Sequence, residues 1–134
     1  MDSRIKVTFL ALVLMQMLHS VEEYVFRFYE IFPPARFLND LVPGFTLPGF
    51  IILNTLFALF GLWCFLSNVR PGTKSARDWV WIWVVIELFN GLAHPLWAIT
   101  TRGYVPGLAT SPILLGLAGY LFGRLRATPE PSDP

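Results

Sequence analysis

Long apolar stretches alternate along the chain with short segments rich in proline, glycine and charged residues. A helix needs roughly 20 apolar residues to cross the hydrocarbon core of a bilayer, and three of these stretches reach that length. The pattern predicts helices over residues 4–32, 47–68, 78–100 and 112–125. The last is short for a span, at about 21 Å for a rise of 1.5 Å per residue. Pro33 is expected to end the first helix, while Asp78 and Ser111 are expected to cap the third and fourth.

The connections between these helices differ in character. Residues 33–48 are apolar yet rich in proline, which predicts a segment on the membrane surface with a short helix over residues 36–41. Residues 100–110 are predicted to form a partly re-entrant loop before the fourth helix. Irregular backbone at membrane depth requires surrounding protein or a cavity. Residues 1–128 are thus expected to form one membrane domain, followed by a disordered tail over 129–134.

Composition supports a membrane protein and excludes several alternatives. The chain is 54% hydrophobic and only 14% charged, whereas soluble domains carry about 25% charged residues. The net charge of +1 gives no basis for nucleic-acid binding. Cys64 is the single cysteine, so no internal disulfide forms. His19 and two glutamates stand where a signal peptide would be cleaved, so we expect the first segment to be a retained helix.

The positions of lysine and arginine predict the topology, because these residues concentrate on the cytoplasmic side. Seven of the ten fall at the N-terminus, between the second and third helices, or after the fourth: Arg4, Lys6, Arg70, Lys74, Arg77, Arg124 and Arg126. The sequence therefore predicts an all-α, four-helix transmembrane bundle with both termini cytoplasmic.

Polar side chains interrupt the apolar stretches in a regular way. The first helix carries His19, Glu22 and Glu23, the second Asn54, and the third Glu87, Asn90 and His94. A charged group at the bilayer centre costs roughly 2.5–3.5 kcal/mol on insertion scales. Counting from the cytoplasmic side, both histidines lie about 21–22 Å along their helices. Their i, i+3, i+7 spacing with neighbouring polar residues places each set on one helical face. We expect the two polar faces to meet in the outer half of the bundle.

These residue types suit two kinds of chemistry. His19, Glu22, Glu23, Glu87 and His94 are metal-ligand types that fit iron, manganese or zinc. Glu22, Glu23, Glu87, Asn90 and Asn54 are the candidate catalytic residues, with the two asparagines as orienting donors. The alternative is a metal-free site in which a glutamate and a histidine move protons. At this depth the expected substrate is a lipid or isoprenoid-like molecule.

Three motifs carry a resemblance to a known family. Residues 19–23 form an HxxEE motif, residues 90–94 an NxxxH motif, and residues 104–110 a YxPGxxT-like stretch. In this order they resemble the HXXEE-domain family of small integral membrane proteins, which are mostly bacterial. The resemblance implies a bacterial inner-membrane location and supports the choice of site residues, but it supplies no reaction.

Other functions stay open on the sequence alone. A looser likeness to sterol isomerases, which bury similar groups in a small bundle, favours a proton-shuttling isomerase. A non-catalytic binder, a proton-coupled transporter and a purely structural subunit are further alternatives. Gly116, Gly119 and Gly123 give the fourth helix a small-residue face through which the chain can form a homodimer.

Overall fold

A computed structural model describes residues 1–128, so the predicted disordered tail lies outside the described residues. The described part is helical and has no strand, as predicted. Its elements are α1 (Ser3–Val25), α2 (Phe28–Ile31), α3 (Pro33–Leu41), α4 (Thr46–Cys64), a π-helical extension of α4 (Phe65–Val69), α5 (Ala76–Thr101) and α6 (Ser111–Ala127).

The first helix ends earlier than predicted. It stops at Val25, and Arg27 adopts a left-handed conformation with φ of 59° before α2 begins. The break allows Phe28 to turn inward, where its ring lies 5.3 Å from that of His94 and 5.8 Å from that of Trp97. Tertiary contacts of this kind override the local preference for a continuous helix. Pro33 does not end this helix but begins α3, a position that suits proline because its missing N–H would be unpaired there anyway.

The other long helices follow the predicted ranges closely, but their caps differ. Ser75 precedes α5, so the expected cap Asp78 lies in the first turn, where its charge complements the helix dipole. Thr110 precedes α6, and the expected cap Ser111 is its first helical residue. Pro95 lies within α5 without ending it.

Three helices in the described range are long and apolar enough to cross a membrane. They are Ser3–Val25, Thr46–Val69, which includes the π-helical extension, and Ala76–Thr101. The fourth predicted span, α6, has 17 residues and does not reach that length. The outward residues of α4, among them Ile52, Leu53 and Leu56, are more than half exposed. Such an apolar outer surface suits contact with lipid rather than water.

The core forms where α1, α4, α5 and α6 meet, and Trp83 fills its centre. The Trp83 ring is fully buried, stacks on Phe57 with centroids 4.7 Å apart, and meets the edge of Phe9. Two glycines permit the close approach of helices. A Cβ on Gly91 would lie 3.0 Å from the backbone nitrogen of Leu115, and one on Gly61 would lie 2.9 Å from Trp83.

Polar contacts fasten one end of the molecule. The Lys6 ammonium donates to the Arg70 carbonyl at 2.7 Å, and Asp2 forms an ion pair with Arg124 of α6. The hydrogen bond from the Arg4 N–H, followed by that from Arg124, lowers the pKa of Asp2. The start of α1, the α4–α5 turn and the end of α6 therefore lie together. The loop that joins α5 to α6 lies at the other end, beside the polar residues described next.

Candidate metal centre

His19, Glu23 and His94 converge between α1 and α5. Glu23 Oε1 lies 3.6 Å from His19 Nε2 and 3.4 Å from His94 Nε2. The imidazole rings are 4.7 Å apart at an angle of 82°. All three side chains are buried, with residue exposures of 0%, 7% and 3%. The structure thus brings together His19 and Glu23 from the polar face of α1 and His94 from the polar face of α5.

The geometry of this group fits a metal ion. One nitrogen or oxygen from each residue lies within 4.8 Å of the other two. Ligands at 2.1 Å from a tetrahedral ion lie about 3.4 Å from one another, close to the observed spacings. Two histidines and one carboxylate with an open position are a set that binds catalytic zinc or non-haem iron. His19 Nε2 is buried and has no hydrogen-bond partner among the described residues, so it is free to act as a ligand.

Glu87 is the least satisfied polar residue near the site. Its side chain is fully buried, and neither carboxylate oxygen has a partner at ordinary hydrogen-bond geometry among the described residues, the Asn90 amide being its polar neighbour. It lies two helical turns before His94 on the same side of α5. Burying a carboxylate without a partner is strongly unfavourable. A proton, a metal ion or a substrate group is needed to compensate.

Glu22 is directed away from this group and binds the α5–α6 loop, residues 103–110. Its Oε1 accepts the N–H groups of Gly107 and Ala109, both at 3.0 Å, and the Tyr104 hydroxyl. Its Oε2 accepts the Thr110 N–H at 3.0 Å and the Thr110 hydroxyl at 2.6 Å. One carboxylate therefore satisfies three backbone donors of an irregular segment, which has no helical hydrogen bonds to satisfy them.

The loop covers the two histidines. Val105, Pro106 and Gly107 are buried, and the Thr110 hydroxyl lies 2.7 Å from His19 Nδ1. Gly107 has φ of +92°, and a Cβ there would lie 2.6 Å from both histidine Cε1 atoms. Only glycine suits this conformation and this approach without strain.

Partial burial, and next the hydrogen bond to Glu22 and its charge, raise the pKa of the Tyr104 hydroxyl to about 12. The hydroxyl therefore keeps its proton and remains a donor to Glu22 far above neutral pH. Tyr104 reinforces the attachment of the loop.

The two asparagines lie in a separate hydrogen-bonded chain. Asn90 donates to Gln16 at 3.1 Å, and Gln16 is 3.4 Å from Ser20. Ser20 donates to Asn54 at 2.7 Å, and Asn54 donates to the carbonyl of Phe50. This chain links α5, α1 and α4. It holds the helices that carry the site residues, and neither asparagine contacts the histidines through a hydrogen bond.

An open groove runs along α1 beside the loop, with a volume of about 580 Å³. Its lining is almost entirely apolar and includes Leu18, Val21, Val25 and Phe26 of α1 and its C-cap. Glu22 of α1 and three loop residues, Tyr104, Ala109 and Thr110, complete its lining. The groove therefore approaches the site from the outer surface and reaches Thr110, whose hydroxyl contacts His19.

The HxxEE motif at residues 19–23 is the one that classifies this chain. A family model described as "Protein of unknown function with HXXEE motif" matches residues 10–121. The chain belongs to the HXXEE family. No curated protein and no solved structure matched it in further comparisons.

The residues that give the HXXEE family its name divide between two tasks in this chain. His19 and Glu23 face the candidate metal centre, and Glu22 holds the α5–α6 loop. Sequence reasoning grouped all three as ligands and did not assign roles to Gly107, Thr110 or Phe28. The YxPGxxT-like stretch contains two of these residues, so it was the available signal. The third, Phe28, depends on the break at Arg27, for which no sequence signal was evident.

Proposed function

We propose that this HXXEE family member is a small integral membrane enzyme whose buried metal centre acts on a lipid or isoprenoid-like substrate. The observation that carries the proposal is the convergence of two imidazoles and one carboxylate at distances suited to one ion. His19, Glu23 and His94 would hold iron, manganese or zinc. Such an ion supplies Lewis-acid activation of a substrate or water and, for iron or manganese, redox chemistry.

The remaining site residues support this centre in different ways. Glu87, buried two helical turns before His94, is suited to accept a proton during the reaction. Glu22 positions the loop rather than the ion. Asn90 and Asn54 position α5 and α4 against α1 through Gln16 and Ser20.

We place the site in the outer half of a bacterial inner membrane. In this arrangement α1, α4, α5 and α6 form a four-helix transmembrane bundle with both termini cytoplasmic. The α5–α6 loop is partly re-entrant and makes up for the short α6. The positive residues at one end of the molecule support this placement, and so does the loop at the other end, where Glu22 accepts three backbone N–H groups.

The apolar groove beside α1 is the proposed route for the substrate. The groove is open to the exterior, and Tyr104 and Thr110 contribute polar groups to its lining. A hydrocarbon chain in the groove would bring the polar end of the molecule towards the loop and His19. Apolar pockets with a few convergent polar groups are typical of such binding sites.

Metal analysis of the purified protein tests the metal centre. We expect stoichiometric iron, manganese or zinc in the wild type and its loss in His19→Ala, His94→Ala and Glu23→Gln. Glu30→Gln is a matched control, because this exposed carboxylate pairs with Arg27 at 3.2 Å and with no other basic residue of the described range 1–128. A wild type that stays metal-free after supplementation with all three ions would overturn the metal-dependent function.

Activity requires a second experiment. The metal-loaded protein in nanodiscs is incubated with a bacterial lipid extract, and the lipids are compared by mass spectrometry. A new species that forms with the wild type and Glu30→Gln but not with His94→Ala supports the enzyme. The mass difference identifies the reaction as hydrolysis or oxidation. An unchanged lipid profile with metal-loaded protein contradicts this substrate class.

A second candidate is a metal-free, proton-shuttling isomerase, and Glu87 is the observation that favours it. A buried carboxylate without partners is a common feature of proton-transfer sites. This candidate predicts activity in the presence of a chelator and loss of activity in Glu87→Gln. The metal-dependent enzyme predicts that the chelator abolishes activity.

We also propose that two copies associate through α6. Gly116, Gly119 and Gly123 are exposed, and a Cβ on any of them would meet nothing within 4 Å. Small residues allow close helix contact in membranes. Gly119→Leu should therefore convert a dimer to a monomer in mass measurements, and an unchanged mass would exclude this interface.

A further inference from the structure

The Thr110 hydroxyl joins the loop anchor to the metal centre. Its oxygen lies 2.6 Å from Glu22 Oε2 and 2.7 Å from His19 Nδ1. The backbone N–H of the same residue also donates to Glu22 Oε2, at 3.0 Å. Thr110 is thus the one loop residue whose side chain contacts both Glu22 and a candidate ligand.

The directions of these hydrogen bonds follow from their donors. The Glu22 carboxylate receives three backbone N–H groups, which only donate, together with the hydroxyls of Tyr104 and Thr110. A threonine hydroxyl has one hydrogen, and Thr110 gives it to Glu22. Its lone pairs can then only accept, so the hydrogen between Thr110 and His19 belongs to His19 Nδ1.

We propose that Thr110 and Glu22 are positioning residues that fix His19 in the form with a hydrogen on Nδ1. This inference rests on the proposed metal centre. Nε2 then points its lone pair towards Glu23 and His94, the direction in which a ligand is needed. Partners of this kind orient metal-binding histidines in many proteins, and their loss costs about 10–100-fold in metal affinity.

The same contacts make loop attachment and metal binding depend on each other. His19 keeps its Thr110 partner only while the loop is bound to Glu22, and the loop gains a further hydrogen bond when His19 is so oriented. Metal binding therefore strengthens the attachment of the loop to Glu22, and attachment of the loop strengthens metal binding by the same factor.

Zinc affinity and imidazole nitrogen spectra test the inference. Thr110→Val removes the hydroxyl but keeps the backbone N–H to Glu22, and we expect zinc to bind about 10–100-fold more weakly. Thr110→Ser should restore affinity close to that of the wild type. Thr100→Val is the matched control, because within the described part of the chain its hydroxyl bonds only the Trp97 carbonyl of α5, at 2.8 Å.

Nitrogen NMR reads the protonation of His19 directly. The chain has only two histidines, so His94→Gln assigns the spectrum. We expect a hydrogen on His19 Nδ1 with and without zinc, and loss of this preference in Thr110→Val. A bare Nδ1 in the wild type, or equal zinc affinities for Thr110→Val and Thr100→Val, would overturn the inference. If the wild type binds no metal, the proposed function fails, and the nitrogen spectrum alone decides this inference.

Discussion

At the scale of single residues, the site depends on polar atoms that are buried but not satisfied. His19 Nε2 and both Glu87 oxygens have no hydrogen-bond partner among residues 1–128. The spacing of polar residues was enough to predict which faces of the two helices meet. It could not separate the adjacent Glu22 and Glu23, because that distinction depends on backbone N–H groups of a loop more than 80 residues away.

Gly107 gives the sharpest test of how the loop covers the histidines. Gly107→Ala should destabilise the protein by about 1–3 kcal/mol through its left-handed backbone. It should also weaken metal binding by about 10-fold or more, because its Cβ would displace both histidine rings from their positions. Isothermal titration with zinc and thermal unfolding measure the two effects separately.

Two other glycines serve as controls for this variant. Gly44 has φ of +83° and open space around it, so Gly44→Ala should lose stability but retain zinc affinity. Gly103→Ala lies in the same loop without a close contact and should change neither. Zinc binding by Gly107→Ala that equals that of Gly44→Ala would show that the loop does not constrain the histidines.

Replacement of Glu87 is predicted to raise the stability of the protein, whereas replacement of Gly107 is predicted to lower it. Glu87→Leu removes two buried, unpartnered oxygens, so the metal-free protein should become more stable by about 1–3 kcal/mol. Enzymatic activity should be lost, because the buried Glu87 carboxylate serves the reaction although it lowers the stability of the fold. Glu30→Leu, at an exposed ion pair, should leave both properties nearly unchanged. A marked fall in the unfolding temperature of Glu87→Leu would indicate a structural role instead.

At the scale of elements, the long apolar helices were predictable and the breaks between them were less so. Hydropathy and proline placement predicted α4, α5 and α6 within a few residues. The end of α1 was missed because Arg27 reverses the chain without glycine or proline, in order to bury Phe28 beside His94. The α5–α6 loop was predicted as irregular, but its attachment to Glu22 required the folded arrangement of α1 and α5.

The attachment of this loop has a predicted dependence on pH. The pKa of Tyr104 is raised from 10.0 to about 12 in the folded protein. Because the folded pKa exceeds the unfolded value, the contribution of the Tyr104 hydroxyl to stability is complete below pH 10. It is lost as the pH rises through about 12. Hydrogen exchange of the Gly107 and Ala109 amides should therefore become less protected only across that range.

Variants separate the two causes of the raised Tyr104 pKa, which are partial burial and the contact with Glu22. Glu22→Gln removes the charge and a strong acceptor but leaves Tyr104 partly buried, so its pKa should fall towards 10 without reaching it. Ultraviolet titration of tyrosinate, taken as the difference from Tyr104→Phe, isolates this residue from the other three tyrosines. Glu30→Gln should give the wild-type curve. A wild-type midpoint near 10 would mean that the loop is not held by this contact.

At the scale of the whole molecule, charge and hydrogen bonding divide the protein into two ends. The basic end joins the start of α1, the α4–α5 turn and the end of α6, through contacts such as Lys6 with Arg70. The opposite end holds the covered histidines and the Glu22-bound loop. Sequence predicted this division from lysine and arginine counts. The fold defines the two ends, and insertion into the membrane decides which of them faces the cytoplasm.

Cysteine labelling tests the orientation with one reporter at each end. Cys64 is fully buried, and Cys64→Ala provides a background without cysteine. In that background Thr73→Cys reports on the α4–α5 turn, and Asp40→Cys reports on α3 at the opposite end of α4. Both original residues are exposed.

Because positive residues stay on the cytoplasmic side, a membrane-impermeant maleimide should label Asp40→Cys in intact cells. It should label Thr73→Cys only after permeabilisation. The reversed pattern would place the histidines in the inner half of the bilayer, and labelling of both from one side would mean that α4 does not cross the membrane.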